Sequence, residues 1–177
     1  GVDNGDWLGF SAASAGDING DGLDDLVLGA PYGYGKDNAT FQSGEAYVVF
    51  GSAASFGTEL DLAALTPAQG FVINGEGILD RTGWSVSSAG DVNGDGFSDI
   101  VIGAYFADGD GTRFRAGESY VIFGSDAGFG GSIDLELART AHTGVTRQLL
   151  GIAGRASHER KNVFEYKASQ EEPPVQV

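Results

Sequence analysis

The sequence predicts an all-β protein made of two tandem copies of one four-stranded unit, and three observations predict it. A long stretch of the chain is written twice, its apolar runs are short and β-rich, and glycine is abundant. Thirty of the 177 residues are glycine. They show no G-X-Y period, so collagen is excluded, and tight turns with positive φ are the better use for them.

The repeat is close. Ser14-Ala15-Gly16-Asp17-Ile18-Asn19-Gly20-Asp21-Gly22-Leu23 returns 74 residues later as Ser88-Ala89-Gly90-Asp91-Val92-Asn93-Gly94-Asp95-Gly96-Phe97. Leu26-Val27-Leu28-Gly29-Ala30 returns as Ile100-Val101-Ile102-Gly103-Ala104. Gly44-Glu45-Ala46-Tyr47-Val48-Val49-Phe50-Gly51 returns 73 residues later as Gly117-Glu118-Ser119-Tyr120-Val121-Ile122-Phe123-Gly124, one residue having been lost from the Gly-rich loop between. Glu59-Leu60-Asp61-Leu62 has a fainter echo in Ser132-Ile133-Asp134-Leu135.

In the first copy the strands are expected at Leu8–Ser14, Asp25–Gly29, Glu45–Phe50 and Phe71–Asn74, each bounded by Gly, Asp or Asn. The continuous runs Leu26-Val27-Leu28 and Tyr47-Val48-Val49-Phe50 predict burial on both faces. No helical period precedes residue 135, although Leu60–Leu65 suits one turn. Four strands per copy is the arithmetic of a propeller blade.

Three segments follow: 1–74 as the first repeat, 75–138 as the second, and 139–177 as a divergent polar tail, partly disordered. Through residue 138 there are 4 Lys+Arg against 21 Asp+Glu, and from Arg139 onward 6 against 4. Nothing after residue 135 matches Gly70–Gly75, so the second copy's fourth strand is missing or divergent. Within the tail, Gln148–Ala153 is mildly apolar and Val163–Tyr166 suits a brief strand. Glu171–Val177, with Pro173-Pro174, reads as disordered.

Composition excludes several classes. A formal charge of −15 argues against a nucleic-acid surface, which needs a basic stripe. The absence of cysteine excludes disulfides and thiolate metal sites. No apolar run approaches the ~18 residues of a membrane span. Methionine is absent even at position 1, which predicts excision from something longer, with any export signal upstream.

The chemistry lies in the repeated loop. Calcium takes six to eight oxygen ligands. Asp17, Asn19, Asp21 and Asp25 offer side-chain oxygens at loop positions 1, 3, 5 and 9, Leu23 offers a backbone carbonyl at 7, and Gly22 permits the sharp turn at 6. The second set is Asp91, Asn93, Asp95, Asp99 and the Phe97 carbonyl. Three carboxylates and an amide leave each occupied site at a charge of about −1, and no ligand is soft, which disfavours zinc and copper. Two Ca2+ sites are expected. Magnesium would keep more water.

Asn-Gly and Asp-Gly also make plain turns, but two copies with the same oxygens in the same context favour an ion. An EF-hand needs an acidic ligand at position 12. That position holds Leu28 and Ile102, inside apolar strands. Nonapeptide calcium repeats fail because the motif does not recur every nine residues.

With those residues assembled, about residues 5–135 resemble the FG-GAP repeat of integrin α-subunit β-propellers and related bacterial surface proteins. Leu8-Gly9-Phe10-Ser11 and Thr82-Gly83-Trp84-Ser85 fill the Phe-Gly-x-Ser element, with Leu and Thr where the family has Phe. The calcium loops match at every ligand. Gly29-Ala30-Pro31 matches the third element in full, whereas Gly103-Ala104-Tyr105 lacks its proline.

The resemblance implies two antiparallel blade-like repeats, a partial β-propeller. It implies a calcium-binding, non-catalytic module for cell adhesion or protein recognition, at the cell surface or outside the cell. Loops such as Tyr32–Phe41 and Phe106–Arg115 would present the binding face. The family closes a ring of several blades, and two close none. A protein partner, further blades or self-association through exposed edges is therefore expected, unless the tail covers an edge.

The alternatives are an accessory domain of a secreted hydrolase and a structural spacer. No catalytic residue is assigned. The repeat region has no histidine and no Gly-x-Ser-x-Gly elbow, and Ser87 and Ser88 are expected in a buried strand. His142 and His158 could form a site with Asp134, but two histidines in a polar tail read as ordinary surface residues.

Overall fold

The computed structural model describes residues 2–54, 56–108, 114–135 and, for the backbone alone, 163–166. It is all-β. The strands are β1 Ser11–Gly16, β2 Asp25–Ala30, β3 Glu45–Val49, β4 Gly70–Asn74, β5 Thr82–Gly90, β6 Asp99–Ala104, β7 Glu118–Ile122, β8 Ser132–Asp134 and β9 Val163–Tyr166. They form one sheet in the order β1-β2-β3-β4-β8 and a second in the order β5-β6-β7-β9.

Within each repeat, strands that follow one another in the chain lie side by side and antiparallel, a meander joined by glycine-rich loops. The register is equivalent in the two copies: Leu28 opposes Tyr47 in the first sheet and Ile102 opposes Tyr120 in the second. Two open, four-to-five-stranded sheets of this kind are the form of adjacent propeller blades.

One continuous core joins the sheets, with Val27, Val48, Phe71 and Ile73 of the first and Ile100, Ile102, Tyr120 and Ile122 of the second. The strand β5 approaches the first sheet so closely that a Cβ added at Gly29 would lie 2.0 Å from the Gly83 carbonyl oxygen. Ser11 Oγ donates to that same oxygen at 2.9 Å. Only glycine at position 29 allows the two backbones to meet there.

Several expectations change. Tyr47, Val48, Val49 and Phe50 are buried throughout, as their continuous run predicts. Leu26 is not: it is 51 % exposed, because only Val27 of its run faces the core. Ser87 and Ser88 are exposed on β5 rather than buried. The turn expected near Leu60–Leu65 is a 3-10 turn at Leu62–Ala64, capped by Asp61, whose Oδ1 accepts from the Ala63 amide at 3.0 Å.

One edge of each sheet, β8 or β9, comes from chain that follows β7. Phe129 stacks on Phe71 with ring centroids 4.3 Å apart, and this contact returns the chain to the first sheet. There β8 pairs in parallel with β4. Asp134 fixes the strand by pairing with Lys36 Nζ at 2.6 Å and accepting from Asn74 Nδ2 at 2.8 Å. The brief strand expected at Val163–Tyr166 forms and pairs antiparallel with β7, so the second sheet's fourth strand comes from the tail. The expectations for Gln148–Ala153, Glu171–Val177, His142 and His158 lie outside the described residues.

Candidate metal centre

Each candidate loop joins the first and second strands of its sheet, β1 to β2 and β5 to β6. The local fold follows from short polar side chains bonding to backbone just ahead of them. Asp17 Oδ1 accepts from the amides of Gly20 at 2.7 Å and Asp21 at 3.0 Å, and its Oδ2 accepts from Gly22 at 2.9 Å. Asn19 Oδ1 accepts from the Asp21 amide at 2.9 Å, and Asp21 Oδ1 from the Leu23 amide at 2.8 Å. Gly22 sits at φ +84°, a left-handed conformation that glycine adopts without a Cβ penalty.

The second loop repeats the pattern. Asp91 accepts from Gly94, Asp95 and Gly96 at 2.7, 3.1 and 2.9 Å. Asn93 accepts from Asp95 at 3.0 Å and Asp95 from Phe97 at 3.0 Å, with Gly96 at φ +93°. In both loops the Asn amide also donates to the position-5 aspartate, at 3.0 Å from Asn19 to Asp21 and 2.9 Å from Asn93 to Asp95.

Asp25 and Asp99 lie beneath the loops, buried at 1 % and 0 % exposure. Asp25 Oδ2 accepts from the Ile18 amide at 2.9 Å and its Oδ1 from Gly51 at 2.7 Å. Asp99 does the same with Val92 at 2.8 Å and Gly124 at 2.9 Å. Each thus ties its loop to the end of the third strand. Burial pushes both carboxyls above their usual range, and the charges of Asp21 and Asp17, or of Asp95 and Asp91, push the same way against the bonded amides.

Among the described residues, no group of three or more His, Cys, Asp or Glu side chains gathers as a metal cluster. The loop carboxylates are turned onto the loop's own amides. Even so, the donors fit a hard cation: every candidate ligand is an oxygen, and a carboxylate oxygen accepting one N–H keeps a further lone pair. Three neighbouring negative charges, one of them buried, form a set that a cation would relieve. The side chains of Leu23 and Phe97, whose carbonyls complete the sets, are exposed and half-buried.

The loops differ in their surroundings. In the first, the Ile18 carbonyl accepts from the Ser125 amide at 2.8 Å and the Asp17 carbonyl from Ser98 at 3.0 Å. Ile18 is 0 % exposed, whereas its counterpart Val92 is 57 % exposed.

The opposite ends of the strands hold features that sequence reasoning missed. Trp7, Tyr32, Arg81, Phe106, Arg115 and Phe114 stack in a row across both sheets. Trp7 and Tyr32 have centroids 4.4 Å apart; Arg81 lies 4.5 Å from Tyr32 and 5.0 Å from Phe106; Arg115 lies 4.5 Å from Phe106 and 4.7 Å from Phe114. Beside the row, each sheet buries an aspartate and a Glu-x-Tyr pair: Asp6, Glu45 and Tyr47 in the first, Asp80, Glu118 and Tyr120 in the second. Asp6-x-x-Gly9-x-Ser11 and Asp80-x-x-Gly83-x-Ser85 share the 74-residue offset of the loops, and that was the available signal.

The FG-GAP repeat family model matches residues 9–49 and 82–122. Integrin alpha-PS2 of Drosophila melanogaster is 33 % identical over 126 residues, 70 % of this chain and 8 % of that protein. Integrin alpha-5 of Xenopus laevis is 30 % identical over 155 residues, 86 % of this chain and 13 % of that protein. Phosphatidylinositol-glycan-specific phospholipase D of Bos taurus is 35 % identical over 116 residues, 62 % of this chain and 12 % of that protein. The chain therefore spans only a small part of the length of these relatives.

Proposed function

We propose, for a chain that belongs to the FG-GAP repeat family through two repeats at residues 9–49 and 82–122, that it is a calcium-stabilised recognition module of a cell-surface or extracellular propeller. The observation that carries this reading is the duplicate loop, with the same oxygens on the same amides in both sheets. Asp17, Asn19, Asp21, Asp25 and the Leu23 carbonyl would hold one Ca2+. Asp91, Asn93, Asp95, Asp99 and the Phe97 carbonyl would hold the other. Bound calcium supplies charge neutralisation and a rigid link between strands, and no chemistry on a substrate.

Two surfaces support a role in association. The stacked row exposes Trp7 at 57 % and Phe114 at 79 %, and stacked aromatics with arginine are typical of protein contact surfaces. Val92, exposed where Ile18 is covered by the second blade, suits a further blade packed on the second loop. The domain reading follows: residues 1–74 and 75–138 act as two repeats, and residues beyond 139 serve the second as an edge.

The phospholipase D match supports a second reading, in which such repeats accompany an enzyme. Here the chain would stabilise a catalytic neighbour without hydrolysing anything itself. A pull-down on immobilised extracellular proteins separates the two. The recognition reading expects calcium-dependent retention lost in EDTA; retention by no protein in either condition would leave the accessory or spacer role.

A further inference from the structure

The second blade is docked on the first by hydrogen bonds made outside the ladders of either sheet. The amides of Leu79, Arg81 and Thr82 donate to the carbonyls of Phe41, Gln42 and Ser43 at 3.0, 3.3 and 2.8 Å. Those of Ser98 and Ser125 donate to Asp17 and Ile18 at 3.0 and 2.8 Å, and Ser11 Oγ donates to the Gly83 carbonyl. Glycines of the first blade admit this approach. A Cβ at Gly16 would lie 2.3 Å from Ser98 Oγ, one at Gly20 2.4 Å from the Phe97 ring, and one at Gly44 2.2 Å from the Thr82 carbonyl oxygen.

Each of these groups has a counterpart that nothing meets. The equivalent acceptors in the second blade are the carbonyls of Phe114, Arg115, Ala116, Asp91 and Val92, all exposed residues. None of them accepts a bond among the described residues, and none of the equivalent first-blade amides, of Gly5, Trp7, Leu8, Asp24 and Ser52, donates one. The glycines are kept as well: Gly90, Gly94, Gly103 and Gly117 stand where Gly16, Gly20, Gly29 and Gly44 do. A Cβ at Gly90 or Gly94 would meet nothing within 4 Å, and one at Gly117 nothing nearer than the Tyr105 carbonyl oxygen at 3.3 Å. These three have positive φ, which is reason enough for glycine. Gly103 does not. The nearest atoms to its Cβ position belong to the exposed Ser85, whose Oγ at 2.4 Å can rotate away. Within one chain the small size of Gly103 goes unused, whereas at Gly29 the same size admits the Gly83 carbonyl.

We propose that a second copy of this chain docks its first blade on the second blade, head to tail, as the second blade docks on the first. This rests on the reading that the second loop takes a further blade, and it names that blade. The first blade carries the complementary surface. Gly5-Asp6-Trp7-Leu8-Gly9 repeats the Asp-x-x-Gly spacing of Leu79-Asp80-Arg81-Thr82-Gly83, and Ser52 stands where Ser125 donates. Gly9 of the incoming copy would bring its carbonyl to Ser85 Oγ beside Gly103. Its Trp7 would lie against Phe106 as Arg81 lies against Tyr32, which extends the stacked row from one copy to the next. Val92 would be covered as Ile18 is. The two faces differ, so the contact is heterologous and propagates into a ring or an open array. One residue opposes it: Asp24 stands where Ser98 does and brings a carboxylate toward the acidic second loop.

Sedimentation of the full chain over a series of concentrations in calcium tests this with one variant on each face. Ser52→Glu places a charge on the incoming face at an exposed residue. Gly103→Ala places a Cβ where the carbonyl of the second copy would come. Melting curves establish that both variants fold. The parent is expected to grow past a dimer as concentration rises, and each variant to stay a monomer. Their equimolar mixture is expected to form one-to-one dimers and stop there, since each variant keeps the face that the other lacks. Asp24→Ser is expected to associate more tightly than the parent. Variants that associate as the parent does, or a mixture that stays monomeric beside a growing parent, would overturn the proposal. So would a parent that is monomeric throughout. The further-blade reading would then survive only for a foreign blade, seen as capture of another protein that Gly103→Ala abolishes.

Discussion

Ile18 and Val92 occupy the same position in two copies of one loop, yet Ile18 is fully buried and Val92 is 57 % exposed. The loops themselves hardly differ, since their aspartates and asparagines accept from the same amides at nearly the same distances. What differs is the next blade. The second blade places Phe97, Ser98 and Ser125 against the first loop, so that a Cβ added at Gly20 would lie 2.4 Å from the Phe97 ring. A Cβ at Gly94 would meet nothing within 4 Å among the described residues. Loop shape is set locally, and loop burial is set by a neighbouring blade.

The largest expected effect tests that contrast. Ile18→Ala should cost about 2–5 kcal/mol, the range for truncating a buried aliphatic side chain. Val92→Ala should stay within about 0.5 kcal/mol, as surface substitutions do. Urea unfolding of both variants measures the difference, and equal losses would break the comparison.

Metal removal should come next. A ligand that binds only the folded state adds about 2.7 kcal/mol at a hundredfold excess over its Kd. EDTA should therefore lower the melting temperature of calcium-loaded protein clearly, with the exposed second loop losing its ion first. An unchanged melting curve would remove calcium from the account.

The smallest effect on stability, and the clearest on assembly, concerns the edge. Deleting residues 139–177 removes β9 and leaves the β7 backbone unpaired, and such edges recruit other chains. Light scattering at matched calcium should show larger species for the shortened chain. If the shortened chain stays as monodisperse as the parent, β9 is no cap.

How much of this was legible in the sequence follows from the range of each interaction. The loops were readable because an Asn or Asp bonding to an amide two residues ahead is a local event. The meander was readable because its β-rich apolar runs recur in the same order in both copies, each bounded by Gly, Asp or Asn. The partners of β8 and β9 were not, since nothing local in Ser132–Asp134 specifies parallel pairing with a strand some sixty residues earlier, about the reach of tertiary rather than local encoding. Leu26 misled because a continuous apolar run does not say which face a neighbour covers.

The central claim is that two equivalent loops each hold one calcium ion. Titration calorimetry of metal-free protein, beside Asp21→Ala and Asp95→Ala, tests it most directly. Two binding events are predicted in the parent and one in each variant, with the surviving event in Asp21→Ala belonging to the exposed loop. Two undiminished events in both variants, or none in the parent, would contradict it.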